Sequence, residues 1–328
     1  MHILCGDIGG TKTRLALFQL EAGAIHTVVE QTYLSNNYVD LTQIVSSFIS
    51  KRNESISSAV FGVAGPVLGQ NCVTTNLPWN VDAQQLVHDL AIPSVHLIND
   101  LEATAWGIDA LAEQDFFTLQ SGSSDSAGNQ ALIAAGTGLG QAGMFWDGES
   151  HRPFATEGGH CNFAPSNKLE FELLLYLQQD EHPPCWEEIL SGPGLVTIYR
   201  FLLQHKQKSE PEWFQQKQQS GDAPAAISHM AGDGDTLCVE AMQMFARLYG
   251  AEAGNLALKL MATGGVFIGG GIAPKILEWL RQPAFLEAFC NSRKMHSLLQ
   301  SIPVKVILNE RAALYGPAMF LKHRLQQD

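Results

Sequence analysis

Short apolar runs bounded by glycine alternate along the chain with stretches in which apolar residues recur every three or four positions. The first pattern marks strands and the second marks helices packed on one face. Strands are predicted over 3–5, 14–20, 59–63 and 95–98 of a first unit, with helical spacing over 43–50 and 82–90. A second unit starts at 131–135 and continues as a strand over 141–146, helices over 169–178 and 236–261, and a strand over 265–268. Strand character returns at 304–308, and a helix over 314–325 closes the chain. This alternation predicts an α/β fold. Residues 205–234 are rich in Gln, Lys, Ser and Gly and hold Pro211 and Pro224. They are expected to form a surface excursion, mobile or loosely helical.

A weak internal repeat sharpens the picture. Leu4-Cys5-Gly6-Asp7-Ile8-Gly9-Gly10-Thr11 reads as strand, Gly-rich turn, strand, and Ala134-Ala135-Gly136-Thr137-Gly138-Leu139-Gly140 repeats the design about 130 residues later. Two copies of one unit predict two similar lobes facing across a cleft, although ordinary hairpin turns also use glycine. The expected division is 1–110 plus 304–328 for a small lobe and 111–303 for a large one.

Three Gly-rich sites are candidates for phosphate binding. Gly6-Asp7-Ile8-Gly9-Gly10-Thr11-Lys12-Thr13 narrowly misses the P-loop pattern, with Thr11 where its last glycine belongs and a strand where a helix is required. A Gly-rich hairpin can still aim backbone N–H groups and the Thr11 hydroxyl at phosphate oxygens. Asp7 would then face a phosphate-bound Mg²⁺ directly or through water, unless the segment is a simple capped turn. Gly138-Leu139-Gly140-Gln141-Ala142-Gly143 is a literal G-x-G-x-x-G, but Met144-Phe145-Trp146 continues as strand. A dinucleotide site needs those glycines to open a helix, so Gly136-Thr137-Gly138 reads better as a second phosphate hairpin. Gly269-Gly270-Gly271 follows a strand and allows backbone or a flat base to approach closely. Gly250 and Gly254 form G-x-x-x-G, read as close helix packing because Glu252 and Lys259 exclude a membrane helix.

Asn99-Asp100 follows the run Val95-His96-Leu97-Ile98, at the strand edge where α/β folds bind ligands. Asp100 is a candidate general base and Asn99 a candidate hydroxyl ligand; the alternative for Asp100 is a helix cap. Glu157-Gly158-Gly159-His160 sets a carboxylate and an imidazole around two glycines, with no second histidine to complete a zinc site. Glu187-Glu188 precedes the break Ser191-Gly192-Pro193-Gly194, and either glutamate could be no more than an exposed helix-start residue.

Composition narrows the function classes. Apolar residues make up 45% and charged residues 16% of 328, enough to bury a large core. The 33 acidic against 20 basic residues give −13, which argues against a nucleic-acid partner. No apolar run is long enough for a membrane span, and the N-terminus reads as a strand rather than a signal peptide. The six scattered cysteines, without C-x-x-C, fit reduced thiols in a cytoplasm.

Six blocks in order carry a resemblance over nearly the whole chain. They are Gly6 to Thr11, Ile98-Asn99-Asp100, Gly136 to Gly140, Glu157 to His160, Leu190-Ser191-Gly192-Pro193-Gly194-Leu195 and Gly264 to Gly271. Together they resemble bacterial glucokinases of the hexokinase-like type, in the sugar kinase, Hsp70 and actin superfamily. The resemblance implies two lobes of the actin-like ATPase (ribonuclease H-like) type. Asn162-Phe163-Ala164-Pro165 follows the histidine and no C-x-C-G occurs, which points to the zinc-free branch. The implied reaction is phosphorylation of D-glucose by ATP and Mg²⁺ to glucose 6-phosphate, with Asp100 as base. Asn99, Asp100, Glu157, His160 and Glu187 would hold the sugar, Glu187 being chosen over Glu188 by its distance from Ser191-Gly192. Gly6, Asp7, Ile8, Gly9, Gly10, Thr11, Gly136, Thr137, Gly138 and Gly270 would hold the nucleotide. A homodimer is compatible with this reading. The rival readings are a kinase for another hexose or amino sugar, an ATPase switch, and a non-catalytic sugar sensor.

Overall fold

A computed structural model describes residues 1–21, 24–123, 127–179 and 181–326. The chain forms two compact units, one of Met1–Glu113, Arg152–Ala155 and Asn309–Asp328, the other of Gln114–His151 and Thr156–Leu308. The last two residues of the chain, included in the expected small lobe, lie outside the described residues.

The first unit contains β1 (His2–Ile8), β2 (Lys12–Glu21), β3 (Ala24–Leu34), β4 (Ile56–Val63), β5 (Val67–Leu68), β6 (Asn71–Val73), β7 (Asn80–Asp82) and β8 (Val95–Asn99). Its main sheet runs β3-β2-β1-β4-β8, with β1 antiparallel to β2 and parallel to β4. Successive side chains of β1 alternate between two cores, as strand geometry requires. Leu4 and Ile8 face Ile44, Val45 and Phe48, whereas Ile3 and Cys5 join Leu314, Ala318 and Leu321. Burial on both faces explains why β1 and β4 read as continuous apolar runs. The edge strand β3, mostly exposed or half-buried, lacks such a run and was not among the predicted strands.

Beyond the other edge, Gln70 acts as a one-residue extension of the sheet. Its amide oxygen accepts from Leu97 N–H at 2.9 Å, and its amide nitrogen donates to the Leu97 carbonyl at 3.2 Å. Behind the sheet, helix Asp100–Gly107 crosses helix Ala312–Leu325 at backbone contact. A side chain at Gly316 would meet the Ala103 carbonyl, and one at Gly107 would meet that of Ala312.

The second unit contains β9 (Phe116–Gln120), β10 (Gln130–Ala135), β11 (Leu139–Trp146), β13 (Gly265–Gly269) and β14 (Val304–Ile307), together with the end residues His151 and Thr156 of β12 (His151–Thr156). Its sheet order is β12-β11-β10-β13-β14-β9. β10 is antiparallel to β11 and parallel to β13, which repeats the plan of β1 with β2 and β4. The Gly-rich turns at Gly9 and Gly136 therefore occupy equivalent hairpins, each at the end of a sheet's central strand. β14 pairs with β13 and β9, so 304–307 belongs to the second unit and the return to the first begins at Asn309, later than expected.

Helix Thr236–Leu260 is the longest element and starts at Asp235, whose carboxylate accepts from Leu237 N–H and Cys238 N–H at 3.0 and 2.9 Å. Gly250 and Gly254 lie against the backbone of Phe285 and Phe289, the close helix packing expected of them. Of the two forms expected for 205–234, the helical one is found, but it is anchored in the core. Helices Glu212–Gln219 and Ala223–Gly232 occupy it, and Phe214 and Ile227 are fully buried. Phe214 packs on Tyr199 with ring centroids 4.8 Å apart. Pro224 lies in the first turn of its helix, where proline starts helices instead of breaking them.

The crossing at Gly316 yields a stability prediction. Gly316→Val forces a side chain into backbone and should cost about 1–3 kcal/mol, read as a lower urea midpoint. Gly232→Ala, in open space at the end of a helix, should instead gain up to about 1 kcal/mol.

Candidate active site

In the first unit, the chemistry collects where β1, β4 and β8 end. Asp7 pairs in register with Arg14 on one side and Gly62 on the other, and Val63 pairs with Asn99. Beyond Asp7 the chain turns through Gly9, Gly10 and Thr11, with Gly9 N–H donating to the Lys12 carbonyl at 3.0 Å. Ser35 fixes this turn: its hydroxyl donates to the Gly9 carbonyl at 2.8 Å, and its N–H donates to Thr11 at 3.0 Å. Gly6 and Ile8 are buried within β1, while Gly9, Gly10 and Thr11 reach the surface.

Asn99 ends β8 and caps the next helix. Its side-chain oxygen accepts from Leu101 N–H at 2.9 Å and Glu102 N–H at 3.3 Å, and its amide donates to the Gly65 carbonyl at 3.1 Å. The capping role considered for Asp100 thus falls to its neighbour. Asp100 lies in the first helical turn, half-buried, with Leu101 N–H 3.0 Å from its carboxylate. Negative charge is favoured there by the exposed N–H groups of the helix start.

In the second unit, three segments meet along β11. The Gly136–Gly138 turn closes with Gly136 N–H donating to the Gly138 carbonyl at 2.8 Å. Glu187 reaches this turn: its carboxylate accepts from Leu139 N–H at 2.8 Å and fills the space a side chain at Gly138 would take. Glu188 points elsewhere, accepting from Cys185 N–H at 2.8 Å. The 3-10 turn Gly158–His160 packs on Leu139 and Gln141, leaving Glu157 and His160 exposed at its two ends. Gly270, at φ +80, lies against the Ala135 carbonyl, a conformation and a contact that only glycine accepts.

Comparison with known proteins decides what these residues belong to. The glucokinase family profile matches residues 4–324. The chain belongs to the glucokinase family. A Nostoc glucokinase is 43% identical over 334 residues, covering 97% of this chain and 98% of its relative. A crystal structure of glucokinase from an Antarctic psychrotroph superposes with TM-score 0.83 at 28% identity, over 98% of this chain and 99% of that one. A ROK family glucokinase from Streptomyces griseus, solved with glucose and AMPPNP, matches at TM-score 0.65 and 21% identity, over 98% and 99%. The α/β fold is therefore the actin-like ATPase type expected from the sequence.

Within this glucokinase-family fold, Asp7 is electrostatically unusual. Burial of its carboxyl at the end of β1 pushes the pKa up to about 6. The Arg14 guanidinium pulls it down and Glu310 pushes it further up. Arg14, which the sequence reading passed over, is itself held by Glu310 at 2.9 Å. A crowded carboxylate of this kind gains from a nearby cation, and a single hard oxygen ligand suits Mg²⁺, which keeps waters and phosphate oxygens around it. No group of three His, Cys, Asp or Glu among the described residues could form a metal cage. Ser35 was also missed, because only the tertiary pairing of β3 with β2 brings it to the turn.

The raised pKa makes a signed prediction. A folded-state value of about 6, above the ordinary carboxyl value, means stability is greatest at low pH and is lost as pH rises through 6. Asp7→Asn should therefore raise the thermal midpoint at pH 7.5. The gain should shrink as pH falls below 6 and vanish towards about pH 3, below both the folded value and the ordinary Asp value of about 3.9. A midpoint that falls at pH 7.5 would contradict it.

Proposed function

We propose that this chain transfers the γ-phosphoryl group of ATP to the 6-hydroxyl of D-glucose. The observation that carries this reading is membership of the glucokinase family over nearly the whole chain. Phosphoryl transfer passes through a loose transition state, so the protein contributes mainly positioning and electrostatics. Asp100 is the general base: it takes the proton of the 6-hydroxyl as that oxygen attacks in line. Its support is a carboxylate in the first turn of a helix whose cap, Asn99, is already in place.

The turns Gly6–Thr11 and Gly136–Gly138 bind the phosphates through backbone N–H groups, and Gly270 leaves room for the nucleotide beside Ala135. Asp7 would hold Mg²⁺, directly or through water; when bound, the ion neutralises charge on the phosphate oxygens. Asn99, Asp100, Glu157, His160 and Glu187 are the ligands we assign to the sugar hydroxyls. The bond from Cys185 N–H to Glu188 supports Glu187 as the ligand. Several buried or half-buried acceptors for one polyol favour glucose over analogues that leave one of them unpaired.

No helix among the described residues is long and apolar enough to cross a membrane. A cytoplasmic location is proposed from the scattered, unpaired cysteines. The negative charge of −13 supports small-molecule partners over nucleic acid.

A coupled ADP-release assay over a panel of hexoses tests the reading. Glucose should give the largest kcat/KM, with glucose 6-phosphate as product; ATP hydrolysis at the same rate without sugar would overturn it. Asp100→Asn should keep its thermal midpoint, because Asn99 remains as the cap, yet lose about 10²- to 10⁴-fold in kcat. Wild-type turnover in that variant would remove Asp100 as the base.

A further inference from the structure

The long helix Thr236–Leu260 buries two polar side chains three residues apart, Tyr249 and Glu252, both 0% exposed. Groups buried this deeply persist where their hydrogen bonds are satisfied, so the partners reveal the purpose. The Tyr249 hydroxyl accepts from Ala135 N–H at 3.1 Å and lies 3.4 Å from the carbonyls of Ile133 and Gly269. Ala135 ends β10 immediately before the Gly136 turn, and Gly269 ends β13 immediately before Gly270. One phenol thus fastens the roots of both glycine turns. Burial raises its pKa well above the ordinary value, which keeps the proton on the oxygen.

Glu252 reaches the other side of the sheet's chemistry. One carboxylate oxygen accepts from the Gln141 side chain at 2.9 Å, with Lys259 Nζ 3.8 Å away, and the other accepts from Asn255 at 3.0 Å. Gln141, itself buried on β11, places its amide oxygen in the space left by the missing side chain of Gly158. The Gln141 carbonyl accepts from the Thr156 hydroxyl at 3.0 Å, and that hydroxyl accepts from Gly158 N–H at 3.3 Å. Glu252 therefore orients Gln141, and Gln141 seats the turn that carries Glu157 and His160.

We propose that Tyr249 and Glu252 are positioning residues on one rigid helix, Tyr249 for the nucleotide turns and Glu252, through Gln141, for the sugar turn. The proposal rests on the assignment of those turns made above. Neither residue touches substrate. A helix that served packing alone would be better filled with apolar side chains, since a buried carboxylate is costly to desolvate.

The test is a split between two Michaelis constants. Tyr249→Phe should raise KM for ATP about three- to tenfold, the size of one lost hydrogen bond, and leave KM for glucose within about twofold. Glu252→Leu should do the reverse, and Glu252→Gln, which keeps an acceptor for Gln141, should restore KM for glucose. Gln141→Met gives the same reading if Glu252→Leu does not fold. Variants in which both constants move together, or only the thermal midpoint moves, overturn the proposal. His160→Ala, and Thr137→Pro, which removes one backbone N–H from the Gly136 turn, serve as direct controls. If they leave KM for glucose and for ATP unchanged, the site assignment falls and this proposal with it. Should they raise those constants while the helix and Gln141 variants do not, only the positioning role is lost.

Discussion

Along β11, Gly138, Gly158 and Gly159 let a polar side chain or a carbonyl close directly on their backbone, and much of the second unit follows from that. The Gly158–His160 turn rests on Leu139 and Gln141, and Glu187 occupies the gap left by Gly138. Bringing three segments this close strips water from their polar groups, so each must find a partner inside the protein. Leu139 N–H finds Glu187, Thr156 finds the Gln141 carbonyl, and the Gln141 side chain finds Glu252. Remove the glycines and the segments separate; remove the bonds and the closeness becomes a penalty.

The first unit meets the same need with a different device. There the crowded group is a carboxylate, Asp7, at the end of a strand where burial disfavours its charge. Such a residue, when ionised, costs the protein stability. Arg14 and Ser35 limit that cost, one by charge and one by holding the turn rigid.

Much of this was legible in the chain because it depends on local signals. Glycine runs after apolar strands marked the turns at Gly9, Gly136 and Gly270, and Asn99-Asp100 declared itself by following a strand. What escaped depends on distance in sequence. Glu252 read only as a charge that excludes a membrane, since its partner Gln141 is 111 residues away and belongs to another element. Nothing local marks Tyr249, whose partner Ala135 is 114 residues away. Proline and glutamine made 205–234 resemble a mobile or loosely helical surface excursion, although Pro224 begins a helix and Phe214 anchors the segment in the core. The cap weighed as the alternative role of Asp100 belongs to Asn99, because Asn and Asp are both good caps and only the backbone angles of Asn99 separate them.

Gln70 carries a further consequence. By engaging both the N–H and the carbonyl of Leu97, it consumes hydrogen-bonding capacity on the outer side of β8 that a strand from another molecule would need. An open sheet edge of this kind is a template for runaway fibre growth, and a single amide side chain blunts it at its middle residue. Replacing Gln70 by alanine would reopen the template, so its penalty would appear less in catalysis than in shelf life at high concentration.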